Sequence, residues 1–213
     1  KGFTLVELLI VIGILSVLAT ATVLVLNPAE LLKQARDAVR LNDAATLNTA
    51  LTLYTYYVTS GNGVPDYDGP NYTNSCKNQT NQRIFVSVPA DNGESSPTST
   101  PGWTYERATS TTLRATTGSG WFPVNFYTGI DNPNPLSILP IDPLNTFASG
   151  YYYSYVCGSY ELVVRFESEK YKKFMLTDQG LSDQTYEVGN DLTLAPAQTF
   201  LSGGQGDTTL PSQ

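Results

Sequence analysis

The chain has 213 residues, of which 15% are charged and none is histidine, and this length suits one globular domain with an additional segment. The lack of histidine excludes Ser-His-Asp triads, histidine metal sites and histidine general bases. The formal net charge of −7 makes nucleic acid an improbable general ligand, because such affinity rests on Lys and Arg contacts with phosphates.

An apolar run from Phe3 to Leu26 opens the chain and contains one charge, Glu7. As a helix it is about 36 Å long, enough to cross a hydrocarbon core of about 30 Å. Two ordinary interpretations are a secretory signal peptide cut after Ala21 and a plain signal anchor. Neither accounts for the acid, which costs on the order of 2.5–3.5 kcal/mol at mid-membrane. A charge in this position indicates that it has a partner.

Residues 2–15, GFTLVELLIVIGIL, resemble the N-terminal signature of type IV pilins and type II secretion pseudopilins. The resemblance implies that a prepilin peptidase cuts after Gly2, that Phe3 becomes N-methylated and that Glu7 is retained for assembly. Residues 1–2 are then the remaining end of the leader. We expect Glu7 to be unpaired in the free membrane state and to be neutralised in a filament by the α-amine of a neighbouring Phe3.

A helix break is predicted at Asn27 and Pro28, since proline lacks a backbone donor and suits the first position of a helix. The break divides a transmembrane and filament-core helix, residues 3–27, from an amphipathic helix, residues 28–59. Three charged residues of the second helix are either contacts with neighbouring subunits or ordinary exposed charges: Arg36, Asp37 and Arg40.

Residues 60–213 are predicted to form a β-rich head with a long loop over 60–82 and a loosely held tail from about residue 201. The strand candidates are 84–88, 103–107, 111–116, 121–126, 151–156, 160–166, 174–178 and 185–194. The expected class is α+β, and the resemblance implies the pilin fold, with the C-terminal half of the long helix packed on an antiparallel sheet. Lys170, Lys172 and Lys173 are interpreted as a solvated strand end.

Residues 140–145, PIDPLN, with the tyrosine-rich segment and the YEL sequence that follow, are similar to a region of major pseudopilins and some pilins. There an Asp-Pro turn leads into an antiparallel hairpin, and residues 157–159 would be the hairpin turn here. Cys76 and Cys157 make one disulfide in an exported protein, and two buried thiols are the alternative.

The function implied by the resemblance is a structural subunit of an extracellular type IV pilus that supports adhesion or twitching motility. Its partners are then identical subunits in a helical filament, the inner membrane before assembly, the prepilin peptidase and the assembly machinery. The alternatives are a pseudopilin of a type II secretion system and a minor or tip pilin that acts as an adhesin. We expect no enzymatic activity, cofactor or metal, because the carboxylates at Glu167 and Glu169 stand without a nucleophile–base set and the acidic loops lack an EF-hand pattern.

Overall fold

The computed structural model describes residues 2–57, 82–97, 103–127, 135–156 and 160–194. Three helices and five strands follow in chain order: α1 (Leu5–Leu26), α2 (Pro28–Tyr57), β1 (Gln82–Val86), β2 (Trp103–Arg107), β3 (Ser154–Val156), β4 (Glu161–Val164), α3 (Glu169–Met175) and β5 (Tyr186–Gly189). Several predictions fall outside these residues: the disulfide between Cys76 and Cys157, the tail, the turn at 157–159, the acidic loops at 66–68 and 131–132, and most of the 60–82 loop.

Asn27 separates α1 from α2 in the left-handed region, at φ 39°. Its N–H donates to the carbonyl of Val23 at 3.3 Å and so closes α1, while its own carbonyl accepts from Glu30 N–H at 3.0 Å and opens α2. Pro28 takes the first position of α2, where no backbone donor is required. The helix break therefore lies at the Asn27–Pro28 step that the sequence indicates.

The sheet has the order β2-β1-β3-β4-β5. Three of its strand pairs are antiparallel, whereas β1 and β2 run parallel, with Gln82 beside Trp103 and Val86 beside Arg107. The α+β class is confirmed, and the sheet is mixed rather than wholly antiparallel. The reason is that residues 87–102 connect β1 to β2 and are long enough for the crossover that parallel strands need.

The main core lies between the C-terminal half of α2 and one face of the sheet. Leu47, Leu51 and Tyr54 of α2 are buried there, and the Tyr54 ring meets Phe126 edge to face at 5.9 Å. Strand residues alternate between the two faces, so Phe85 joins this core while its neighbours pack on the opposite face. The opposite face has a smaller buried cluster: Ile84, Val86, Val88, Phe147, Tyr152, Val156 and Val163.

Three strand predictions are wrong. Residues 111–116 and 121–126 form turns, although Trp121, Phe122, Val124 and Phe126 are almost wholly buried. Aromatic and β-branched residues favour strands because they suit a half-buried surface, and these side chains instead insert an irregular segment into the core. The third is the strand predicted over 174–178, because α3 runs to Met175 and a turn follows it. The lysines at 170–173 therefore lie on a helix rather than at a strand end.

Candidate processing and assembly site

Thr4 and Glu7 form a reciprocal capping box at the start of α1. The Glu7 side-chain Oε2 accepts from Thr4 N–H and from the Thr4 hydroxyl, each at 2.8 Å. In return, Glu7 N–H donates to Thr4 Oγ1 at 3.3 Å. The carboxylate also lies at the positive end of the helix dipole, which favours a negative charge. Glu7 therefore has hydrogen-bond donors within its own chain, and its neutralisation by the α-amine of a neighbouring subunit stays a prediction.

The expected processing residues lie directly ahead of this box. Gly2 is exposed, and Phe3 has 87% of its surface accessible. A cut after Gly2 leaves Thr4 and Glu7 on the same product, so the capping box is compatible with processing. The capping box can be recognised in the sequence, because Thr followed three residues later by Glu, ahead of an apolar run, is its typical pattern.

The surface of α1 is apolar around its circumference, and the described part of the head does not cover it. Every described side chain from residue 2 to residue 26 is exposed, and the helix is long and apolar enough to cross a membrane. Its hydroxyl groups are satisfied within the helix, because Ser16, Thr20 and Thr22 each donate to a carbonyl of the preceding turn at 2.8 Å. A helix with this surface requires lipid or other helices around it.

Residues 1–23 match the family model described as the prokaryotic N-terminal methylation motif. The chain carries a prepilin-type N terminus. Comparisons with curated proteins and with solved structures returned no match. The motif thus confirms the resemblance to type IV pilins and pseudopilins over the first helix, where the capping box and the expected cut lie.

The head of this prepilin-type chain is attached to α2 through a buried charge cluster around Arg40, which is fully inaccessible to solvent. Arg40 donates in bidentate fashion to Asp142, with Nε–Oδ2 at 2.6 Å and Nη2–Oδ1 at 3.0 Å. Its Nη1 donates to Asp37 at 2.8 Å and to Glu167 at 2.5 Å. The guanidinium also lies over the Tyr151 ring, 4.6 Å from the centroid.

The same cluster holds the corner between β4 and α3. Asp37 accepts from the backbone N–H groups of Glu167 and Ser168 and from the Ser168 hydroxyl, at 2.6–3.0 Å. Arg36 lies on the solvent side of the cluster and donates two hydrogen bonds to the Glu167 carboxylate, at 2.8 and 2.6 Å. We call these five residues the helix–head clamp: Arg36, Asp37, Arg40, Asp142 and Glu167.

Both sequence interpretations of Arg36, Asp37 and Arg40 are therefore wrong. Asp37 and Arg40 are buried, and the three residues bind their own head rather than a neighbouring subunit. Their spacing places them on adjacent turns of α2, so the sequence alone indicates that these three side chains lie near one another. Asp142 and Glu167 lie more than 100 residues away, and no local pattern identifies them as the partners.

Electrostatics in the clamp favour the charged forms. Burial alone would raise the pKa of Glu167, but hydrogen bonds from Arg36 and Arg40 outweigh it and lower that pKa. Burial likewise opposes the charge on Arg40, and the bonds and charges of Asp142, Glu167 and Asp37 raise its pKa instead. Pairing thus keeps Arg40 and Glu167 in their charged forms although both are buried.

Proposed function

We propose that this chain is a structural subunit of a type IV pilus. The observation that carries the proposal is the contrast between α1, whose described side chains are all exposed, and the described part of the head, which buries its own apolar core. Burying one large apolar side chain contributes about 1.5–3 kcal/mol, so an uncovered α1 in water is strongly unfavourable. Lipid covers it first, and packed α1 helices of identical chains cover it in the fibre.

The N-terminal geometry supports assembly through α1. Gly13 offers a position where a neighbouring backbone can approach closely, since nothing lies within 4 Å of where its Cβ would stand. The clamp keeps the head in one orientation on α2, which a regular fibre needs from its subunits. In this proposal the prepilin peptidase and the assembly machinery process and extract the chain from the inner membrane, and the fibre then serves adhesion or motility at the cell surface.

Electron microscopy of filaments sheared from the cell surface, with mass spectrometry of the subunit N terminus, tests the proposal. We expect surface filaments in which this chain dominates and begins with methylated Phe3. A chain that begins at Thr22 would contradict it. Filaments that form only on overproduction and stay in the periplasm would identify a pseudopilin, and a trace amount at filament ends would identify a minor adhesin.

We also propose that the chain has no enzymatic activity. The carboxylate pair considered from the sequence is engaged in structural contacts, with Glu167 bound to Arg36 and Arg40, and Glu169 bound to Lys172 at 2.6 Å. General acid–base work needs a carboxyl group that can reach substrate, and the Glu167 oxygens face the clamp instead.

A further inference from the structure

The start of α3 lies at the end of the head nearest to α1. Glu169 N–H donates to the Glu30 carboxylate at 3.0 Å, and among the hydrogen bonds between α2 and the described head this one is nearest to α1. The next, between Arg36 and Glu167, lies almost two helical turns further along α2. Glu30 stands four residues after Leu26, the last residue of α1, so the two lie within about 14 Å of each other whatever the angle of the break at Asn27.

This position corresponds to the lipid headgroups when α1 spans a bilayer. The 22 residues of α1 rise about 33 Å, which fills a hydrocarbon core of about 30 Å. The polar layer on each side of that core is about 5–8 Å thick. Glu30 and the first turn of α3 therefore stand at the depth of the headgroups and the adjoining water.

The two faces of α3 differ in character. Tyr171 and Met175, four residues apart, face the core, and the Tyr171 ring lies 5.6 Å from Phe166. Lys170, Lys173 and Phe174, spaced by three and four residues, share the outer face and are exposed. A short helix with lysines and an aromatic ring on its outer face has the chemistry of an interfacial element.

Exposed apolar groups concentrate beside these lysines. Six large apolar residues of the described head are exposed, and three of them lie within eight positions: Phe174 at 44%, Leu176 at 62% and Leu181 at 49%. Two acids that follow α3 turn inward, since Asp178 accepts from two backbone N–H groups and Glu187 is buried, which leaves Asp183 exposed. The three lysines are the densest positive cluster of a chain with net charge −7.

We propose that this surface docks on anionic phospholipid headgroups of the bilayer that holds α1. We call it the α3 patch: Lys170, Lys172, Lys173, Phe174 and Leu176. The proposal rests on the membrane stage of the proposed function and adds a second contact with the same bilayer. Two features support it. The lysines are complementary in charge to anionic headgroups, and the patch begins where the membrane-spanning helix ends. Docking holds the head against the membrane surface, and assembly then requires its release.

Hydrogen exchange of the full chain, reconstituted at one copy per nanodisc, tests this contact. Nanodiscs of phosphatidylcholine alone are compared with nanodiscs that contain 30% phosphatidylglycerol. Each lysine near an anionic surface strengthens binding by roughly fivefold, and Lys172 is already paired with Glu169. The other two lysines together give a factor of about 25, so we expect amides 170–177 to exchange up to about 25-fold more slowly in the anionic nanodiscs. The triple variant K170Q/K172Q/K173Q abolishes this difference, and K170R/K172R/K173R keeps it.

Other results overturn the proposal. Equal exchange in both lipids would remove the anionic contact, and protection that requires two copies per nanodisc would assign the patch to an interface between subunits. Protease protection of α1, measured on the same samples, separates this proposal from the proposed function. An inserted α1 with an unprotected patch refutes the lipid contact alone, whereas an α1 that fails to insert refutes both.

Discussion

At the scale of single residues, Arg40 joins α2 to two distant parts of the head. One buried guanidinium pairs with three carboxylates that come from α2, from the Asp142 turn and from the end of β4. Its removal leaves those carboxylates partly unpaired in a buried site, which is costlier than the loss of an exposed ion pair. The stability of the head is therefore expected to depend on this residue far more than on any surface charge.

We predict that Arg40→Met lowers the free energy of unfolding by about 3–5 kcal/mol. Guanidinium denaturation of the full chain in detergent micelles, followed by tryptophan fluorescence, measures the change. Lys33→Gln is the control, because the Lys33 side chain is 44% accessible and lies 3.9 Å from Glu30, so the change should alter stability by less than about 1 kcal/mol. Similar values for the two variants would show that the clamp contributes little.

The pH dependence of the clamp follows from the lowered pKa of Glu167. A carboxyl group whose pKa is lowered on folding stabilises the head above its unfolded pKa, about 4.5, and this contribution is lost as pH falls through the lower, folded value. Burial raises the pKa values of Asp43 and Asp178, so their contributions have the opposite sign. The contribution of Glu167 to the pH dependence of stability must therefore be measured as the difference between the unmodified chain and a Glu167 variant.

We predict that Glu167→Gln destabilises the head at pH 7 and that its deficit relative to the unmodified chain shrinks below about pH 4.5. Denaturation of both chains at a series of pH values gives this difference. A deficit that stays constant down to pH 2 would mean that the charge of Glu167 is not what stabilises the corner.

At the scale of elements, residues 109–127 form an irregular loop in place of the two predicted strands. We call this loop the plug, because its aromatic side chains fill part of the core. Gly120 lies against two parts of the head, since an added Cβ would stand 2.2 Å from the Ala115 carbonyl oxygen and 2.6 Å from Leu139 Cδ1. A backbone carbonyl has little freedom to move away. The close approach at Gly120 therefore sets how deeply Trp121 and Phe122 enter the core.

We predict that Gly120→Ala destabilises the head by about 1–3 kcal/mol through overpacking. Gly13→Ala is the matched control, because the same added methyl group at that position meets nothing within 4 Å. Thermal unfolding monitored by near-ultraviolet circular dichroism compares the two. An unchanged midpoint for Gly120→Ala would show that the loop shifts freely.

The elements that the sequence predicted are those with strong local patterns. The apolar run gave α1, the Asn-Pro step gave the break, and β2 has the predicted bounds, Trp103–Arg107. The plug and α3 were predicted as strands because their aromatic residues suit a sheet equally well, and tertiary packing decided between the two. At the site, the capping box is local and readable, whereas the clamp joins residues distant in sequence and depends on the folded topology.

At the scale of the whole molecule, Glu7 has one role within the single chain and a second, proposed role in the fibre. Within one chain its carboxylate caps α1, and in the proposed fibre it also faces the α-amine of a neighbouring Phe3. These two roles are separable, because an amide oxygen still accepts hydrogen bonds from Thr4 while lacking the charge. The pair of variants Glu7→Gln and Glu7→Ala distinguishes them.

We predict that both variants insert into the membrane normally and reduce filament yield about tenfold or more, since 1.4 kcal/mol of lost pairing already gives a factor of ten. Quantification of sheared filaments, alongside membrane fractionation, measures both properties. A normal yield for Glu7→Gln with a reduced yield for Glu7→Ala would assign the role to helix capping. Normal yields for both would remove Glu7 from assembly.

The clamp also determines how the head responds to mechanical force. Contacts along α2 change in kind, with a hydrogen bond at Glu30, ion pairs at Arg36 and Arg40, and apolar packing from Ala44 to Tyr54. In the proposed fibre, we expect a tensile load on the packed helices to reach the β-sheet through the ionic part first, where bonds are short and directional. Because such bonds are lost after a displacement of only a few ångströms, we expect the head to detach abruptly at its base rather than to slide gradually.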